Sequence, residues 1–241
     1  MKIGSATLVT KSAEFTVTKS IGGLILAVDG FDLSTLTTEK ISIYIERANG
    51  SNVILANKVL LKDFILASTY GTSGTQSDAT YECIAVCELA HLGGIALEEK
   101  ESIKIQLDDL ISTAGKVYDI FGIEEPIASS DLYFFEQKTV ASEQFSKILD
   151  VKGFDLAIMT THASVQDLSY RYSNGVVVKY LPFELQSLSR DIDPIQALNG
   201  TAILQGLTDR VSLPLEEVDT IEINKSQGTV INFVVRSIKN V

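Results

Sequence analysis

The stretch LAVDGFDLSTLTT, Leu26 to Thr38, returns later in the chain as LDVKGFDLAIMTT, Leu149 to Thr161. Identical residues stand at Leu26/Leu149, Val28/Val151, Gly30/Gly153, Phe31/Phe154, Asp32/Asp155, Leu33/Leu156, Thr37/Thr160 and Thr38/Thr161, all at an offset of 153 − 30 = 123. In a chain of 241 residues that offset is about half the length, and each half is of the size at which a domain carries its own core, ~100 to 150 residues. The repeat predicts two similar domains in tandem. Within it, Gly30 and Gly153 permit tight backbone turns, and Phe31, Leu33, Phe154 and Leu156 are expected to pin the crossing chain onto the core. The two segments are expected at equivalent corners of the two domains.

Most of the remaining chain alternates apolar and polar residues rich in Val, Ile, Thr, Tyr and Phe, the pattern of half-buried strands. KISIYIER, TYECIAVCEL, SIKIQL, DLYFFEQ, DLSYRY, GVVVKY, TAILQG, DTIEIN and TVINFVVRSI are examples. Turn chemistry agrees, because Asn49-Gly50 follows SIYIERA and Asn174-Gly175 follows LSYRYS, each where a strand should reverse into a hairpin. Beyond each hairpin lies a helical candidate, NKVLLKDFILAS and then PFELQSLSRDI, the second opened by Pro182. The fold class is predominantly β with short helices. Alternation fades and acidic, Gly and Pro residues gather between Leu107 and Ser130, which places the boundary near Gly115, with domains 1–114 and 115–241.

Composition narrows the function. With 45% hydrophobic and 21% charged residues the chain is globular. A net charge of −11 argues against a nucleic-acid-binding surface, which needs clustered Lys and Arg. After Met1 the chain alternates like a strand instead of running into a secretory leader, and the longest apolar run, Ile21 to Val28, is far below the ~20 residues of a spanning helix. The expectation is a soluble protein made in the cytoplasm. Cys83 and Cys87 share one strand face, roughly 13 Å apart, too far for a disulfide, and are expected as reduced core residues.

No catalytic constellation is legible. His91 and His162 are the only histidines, too few for the metal set of a bicupin. The chain lacks a nucleophile elbow, a P-loop and a dinucleotide fingerprint. The carboxylate pairs Asp108/Asp109, Glu124/Glu125, Asp191/Asp193 and Glu216/Glu217 read as solvated turn acids; a glycosidase also offers aromatic platforms, and this chain has no Trp. Asp191 and Asp193 are weak calcium candidates. Asp32 and Asp155 have no His or second acid arranged around them. No cofactor is expected.

The chain resembles the double jelly-roll major capsid proteins of tailless icosahedral viruses, in particular the compact ones of membrane-containing bacteriophages of the corticovirus and finnlakevirus type. The residues carrying the resemblance are the paired GFDL turns, the strands KISIYIER and DLSYRY, and the helices KVLLKDFIL and FELQSLS after each hairpin. The resemblance implies two tandem eight-stranded jelly rolls standing upright, and a homotrimer whose six lobes make a pseudo-hexameric tile. It further implies a virion shell over an internal membrane, with a vertex or penton protein as partner. By the same analogy the segment with Lys2, Lys11 and Lys19 would face that membrane. The competing expectations are a tandem β-sandwich adhesin or carbohydrate-recognition module using the Tyr70–Thr80 loop, and a hydrolase built on Asp191 and Asp193.

Overall fold

Alternation in KISIYIE becomes a strand with Ile41, Ile43 and Ile45 fully buried on one face and Lys40, Ser42 and Tyr44 on the other. The same rule builds most of the molecule. The computed structural model describes residues 1–30, 33–68, 75–189 and 210–241. Its first half holds β1 (Lys2–Thr7), β2 (Phe15–Val17), β3 (Ile21–Asp29), β4 (Lys40–Glu46), β5 (Asn52–Leu60), α1 (Leu61–Ser68), β6 (Thr75–Gln76), β7 (Cys83–Glu88), β8 (Gly94–Ile95), β9 (Ser102–Asp108), β10 (Val117–Glu124) and β11 (Ala128–Ser129). The second holds β12 (Asp131–Val140), β13 (Ser146–Asp150), β14 (Leu156–Thr160), β15 (Val165–Tyr172), β16 (Val177–Tyr180), α2 (Pro182–Ser189), β17 (Arg210–Pro214), β18 (Val218–Lys225) and β19 (Ile231–Asn240).

Both halves wind identically. Leaving aside the two-residue strands, one sheet of each half runs first, eighth, third, sixth: β1-β10-β3-β7 and β12-β19-β14-β17. The other runs second, seventh, fourth, fifth: β2-β9-β4-β5 and β13-β18-β15-β16. Each half is an eight-stranded jelly roll. The rolls are spliced where β5 runs parallel to β12, through Phe135 opposite Ala56, so that one sheet of each merges into a single eight-stranded sheet. Because the splice joins the fifth strand of one roll to the first of the other in parallel, like ends of the two rolls lie on the same side.

A division of the chain at Gly115 does not respect this pairing. β10 lies beyond it, yet it is hydrogen-bonded between β1 and β3 of the first roll. The cause is that β10 closes the sheet as its eighth strand, so the connection between rolls comes only after Glu124. We propose that the second roll begins at Asp131.

The GFDL repeat also has a different meaning from the one expected. Gly30 follows the third strand of its roll, β3, whereas Gly153 precedes the third strand of the other, β14. Equivalent strands run the same way, so the two segments stand at opposite ends and are not equivalent corners. What they share is local: both glycines are left-handed, with φ of +79° and +80°. Leu33 and Leu156 are buried, while Phe31 and Asp32 lie outside the described residues.

The Asn-Gly turns carry the true repeat. Gly50 N donates to Arg47 O at 2.9 Å and Gly175 N to Tyr172 O at 2.9 Å. Arg47 N donates to Ser51 O, and Tyr172 N to Val176 O, each at 2.9 Å. Asn49 and Asn174 each accept from the amide two residues on, Ser51 at 2.9 Å and Val176 at 3.0 Å. All these pairs are offset by 175 − 50 = 125, and both turns join the fourth strand to the fifth. The first of the helices that follow is shorter than its sequence pattern, because Asn57–Leu60 remain in β5, where Lys58 takes a left-handed φ of +50° beside an irregular pairing with β4.

The two GFDL glycines should differ in mutability. A Cβ at Gly30 would strike the Gly115 carbonyl, whereas one at Gly153 meets nothing within 4 Å. Gly153→Ala should cost about 1 kcal/mol, from the left-handed backbone alone, and Gly30→Ala distinctly more. Urea unfolding of both variants measures the difference; equal losses would contradict the steric account.

Candidate functional site

α1 follows β5 without a loop, and all eight of its residues, LKDFILAS, are buried. A helix with no wet face is unusual outside a large interior, and here the second roll supplies the cover. Phe64 meets Phe135 of β12 edge to face, with ring centroids 4.8 Å apart. Leu156 and Ile158 of β14 and Val234 of β19 join the same apolar cluster as Phe64 and Ile65, while their neighbours Ala157, Met159, Phe233 and Val235 face the second roll's own core. The outer face of the second roll's sheet is therefore the floor under α1.

Charges lock this contact. Asp63 on α1 is fully buried and lies 2.5 Å from Nε of Arg210, the first residue of β17. Arg236 of β19 donates from Nη1 to the Ala67 carbonyl at 2.9 Å and from Nη2 to Asp155 Oδ2 at 2.5 Å, with its guanidinium over the Tyr133 ring at 4.9 Å. A cation at the last turn of a helix meets the carbonyls that the helix leaves unsatisfied. Asp155, the acid of the second GFDL copy, thereby acquires a structural role, holding the arginine that closes the end of α1. Neither Arg210 nor Arg236 is singled out by the sequence, where both stand far from their partners.

The other residues singled out by the sequence fall elsewhere. His91 Nδ1 is 3.0 Å from the Tyr133 hydroxyl and His162 Nδ1 is 2.9 Å from Ser164 Oγ, so the two rings sit in separate local networks. Cys83 and Cys87 are buried and not bonded to each other, and burial pushes the Cys87 thiol up to about 12. Phe154 packs on the second core with Lys138 Nζ 5.1 Å from its ring centroid. Lys2, Lys11 and Lys19 are ion-paired with Asp119, Asp108 and Glu124 of their own roll. Asp191, Asp193 and the loop residues 69–74 lie outside the described residues. Among the described residues no group of three or more His, Cys, Asp or Glu could hold a metal ion.

No family model and no curated protein matches the chain. Solved structures do. The major capsid protein P2 from Bacteriophage PM2 aligns with 13% identity and a TM-score of 0.56, over 100% of this chain and 95% of that one. The STIV MCP aligns with 9% identity and a TM-score of 0.55, over 97% and 95%. The atomic structure of Sulfolobus Turreted Icosahedral Virus contains a chain that aligns with 8% identity and a TM-score of 0.50, over 98% and 90%. The fold is the double jelly roll.

The buried ion pair of this double jelly roll should dominate the response to mutation. Removing one member of a buried ion pair costs roughly 3–5 kcal/mol, whereas replacing both with apolar groups is often neutral. Arg210→Met should destabilise by that amount, and Asp63→Leu combined with Arg210→Met should recover most of it. Urea denaturation read by circular dichroism measures both; a double variant as weak as the single one would contradict the assignment.

Acid should loosen both rolls. Burial pushes the Asp119 carboxyl up, but hydrogen bonds from Ser5, Tyr81 and Lys2 outweigh it and hold the group below the usual carboxylate range. Asp167 behaves alike, burial being outweighed by Lys179 and Asn224. A folded pKa below the unfolded one gives stability that is present above the unfolded pKa, about 4, and lost as pH falls through the folded value. The urea midpoint should therefore drop on acidification below about pH 4; a midpoint that holds or rises there would contradict these pairings.

Proposed function

We propose that the protein is the major capsid protein of an icosahedral virus. Three copies close into a pseudo-hexameric tile, tiles cover the shell, and an internal lipid membrane lies beneath it. The observation that carries this reading is the pair of jelly rolls spliced side by side with like ends together, matched over almost its whole length by the PM2 capsid protein. Two similar lobes per chain are what a threefold unit needs to approach hexagonal outline, and a near-hexagonal unit packs a surface efficiently. The partners are further copies of the chain and a vertex protein, and the place of action is the virion. A net charge of −11 gives the chain little to attract the phosphates of nucleic acid.

Size in solution tests the reading. The purified chain should run by light scattering at three times 26.2 kDa, and electron micrographs of assembled material should contain hexagonally packed tiles. A stable monomer that binds a glycan would replace this reading with that of a tandem binding module.

A further inference from the structure

Two short stretches of the chain, HLGGIAL at 91–97 and PIASS at 126–130, contain no Asp, Glu, Lys or Arg. They meet through the parallel pairing of β8 with β11. Gly94 N donates to Ile127 O at 2.8 Å, His91 N to Asp131 O at 2.8 Å, and Ser129 Oγ to His91 O at 2.6 Å. The approach is so close that a Cβ at Gly93 would stand 2.6 Å from Ile127 O. From these tied loops Leu92 and Ile127 project at 84% and 72% exposure, more than any other large apolar residue among those described.

The fold gains nothing from this placement. Leu92 takes a left-handed φ of +57°, a conformation that disfavours side chains other than Asn and Asp, and it recovers no burial in return. Strain kept at an exposed position marks a working surface.

The surface lies at one end of the molecule. Leu89 N and Ala90 N both donate to Gly22 O at the start of β3, and Arg47 Nη1 donates to Ala96 O, so the two loops sit at the end that carries the Asn-Gly turns. The opposite end shows apolar side chains too, Leu8 at 61% and Phe145 at 54%. Those stand among charges: Lys11, three residues from Leu8, is paired with Asp108, and Glu143 and Lys147 flank Phe145.

We infer that Leu92 and Ile127 insert into an uncharged lipid surface, and that the end carrying the Asn-Gly turns is the one turned to the membrane. An aliphatic tip free of charge, with its backbone tied by its own hydrogen bonds, suits a bilayer interface, which penalises charge and unpaired backbone alike. The net charge of −11 selects zwitterionic over anionic headgroups. Two side chains hold weakly, as a single lipid anchor does, and several copies side by side make the attachment firm. The inference rests on the proposed shell over a membrane and names the surface that meets it.

Flotation with vesicles tests it. The parent chain should float with phosphatidylcholine vesicles, and added phosphatidylglycerol should not strengthen the binding. Asn suits left-handed backbone, so Leu92→Asn keeps the fold. Combined with Ile127→Asn it should weaken partitioning by about tenfold or more, with the mass and circular dichroism of the parent. Leu8→Asn and Phe145→Asn, at the opposite end, should float like the parent. Leu92→Gly should raise the urea midpoint and weaken flotation together; a lower midpoint would mark Leu92 as structural and overturn the inference. A parent that stays unbound, a double variant that floats as well as the parent, or binding that needs phosphatidylglycerol and disappears in salt would overturn it as well. Trimers that ignore vesicles would leave the capsid reading in place, whereas a monomer that floats through Leu92 and Ile127 would remove that reading and keep this surface.

Discussion

A carboxylate on a helix of the first roll and a guanidinium on a strand of the second, Asp63 and Arg210, lie 2.5 Å apart almost without solvent. Neither charge tolerates that place alone. The favourable free energy of the junction comes from apolar area, from Phe64 against Phe135 and from Ile65, Leu156, Ile158 and Val234. Apolar contacts of this kind accept many relative placements, and a buried ion pair accepts one. The pair is accordingly better understood as what sets the register of the two rolls than as a source of stability. Arg236 adds a second fixed point by joining Asp155 to the end of α1.

The cores divide unevenly as a result. One apolar cluster belongs to the second roll alone. The other starts in the first roll, runs through α1, and continues onto the outer face of the second roll's sheet. The first roll is thereby completed by the second, while the second needs only its own sheets for a core. This asymmetry seals α1 along its whole length, whereas the first turn of α2 leaves Phe183 exposed.

The sequence made the elements legible where one face was wet. Ile41, Ile43 and Ile45 alternate with polar partners, and the Asn-Gly turns mark the fourth-to-fifth hairpin in both rolls with the same hydrogen bonds. β3 and β10 were illegible for the opposite reason. Leu24 and Ile120 face the core, but Ile25 and Phe121 on the other side are apolar too, so alternation disappears and β10 passes for a linker. GFDL misled because a tetrapeptide encodes how a chain leaves a strand, not which corner it serves. The ion pair was out of reach for periodicity altogether, since Asp63 and Arg210 are 147 residues apart.

The parallel splice of β5 and β12 has a consequence beyond joining two domains. It brings the Asn-Gly turn of each roll to the same end, where Arg47 reaches Ala96 O in one roll and Ser173 N reaches Glu217 O in the other. The opposite end gathers the contacts of Thr38 with Asp109 and of Ser226 with Ser164. Connections there and at the first end change length at little cost to the sheets between them. Lineages of such a protein are free to remodel the two ends independently of each other, while the sides, where β5 and β12 splice the rolls, are held to the shape they have.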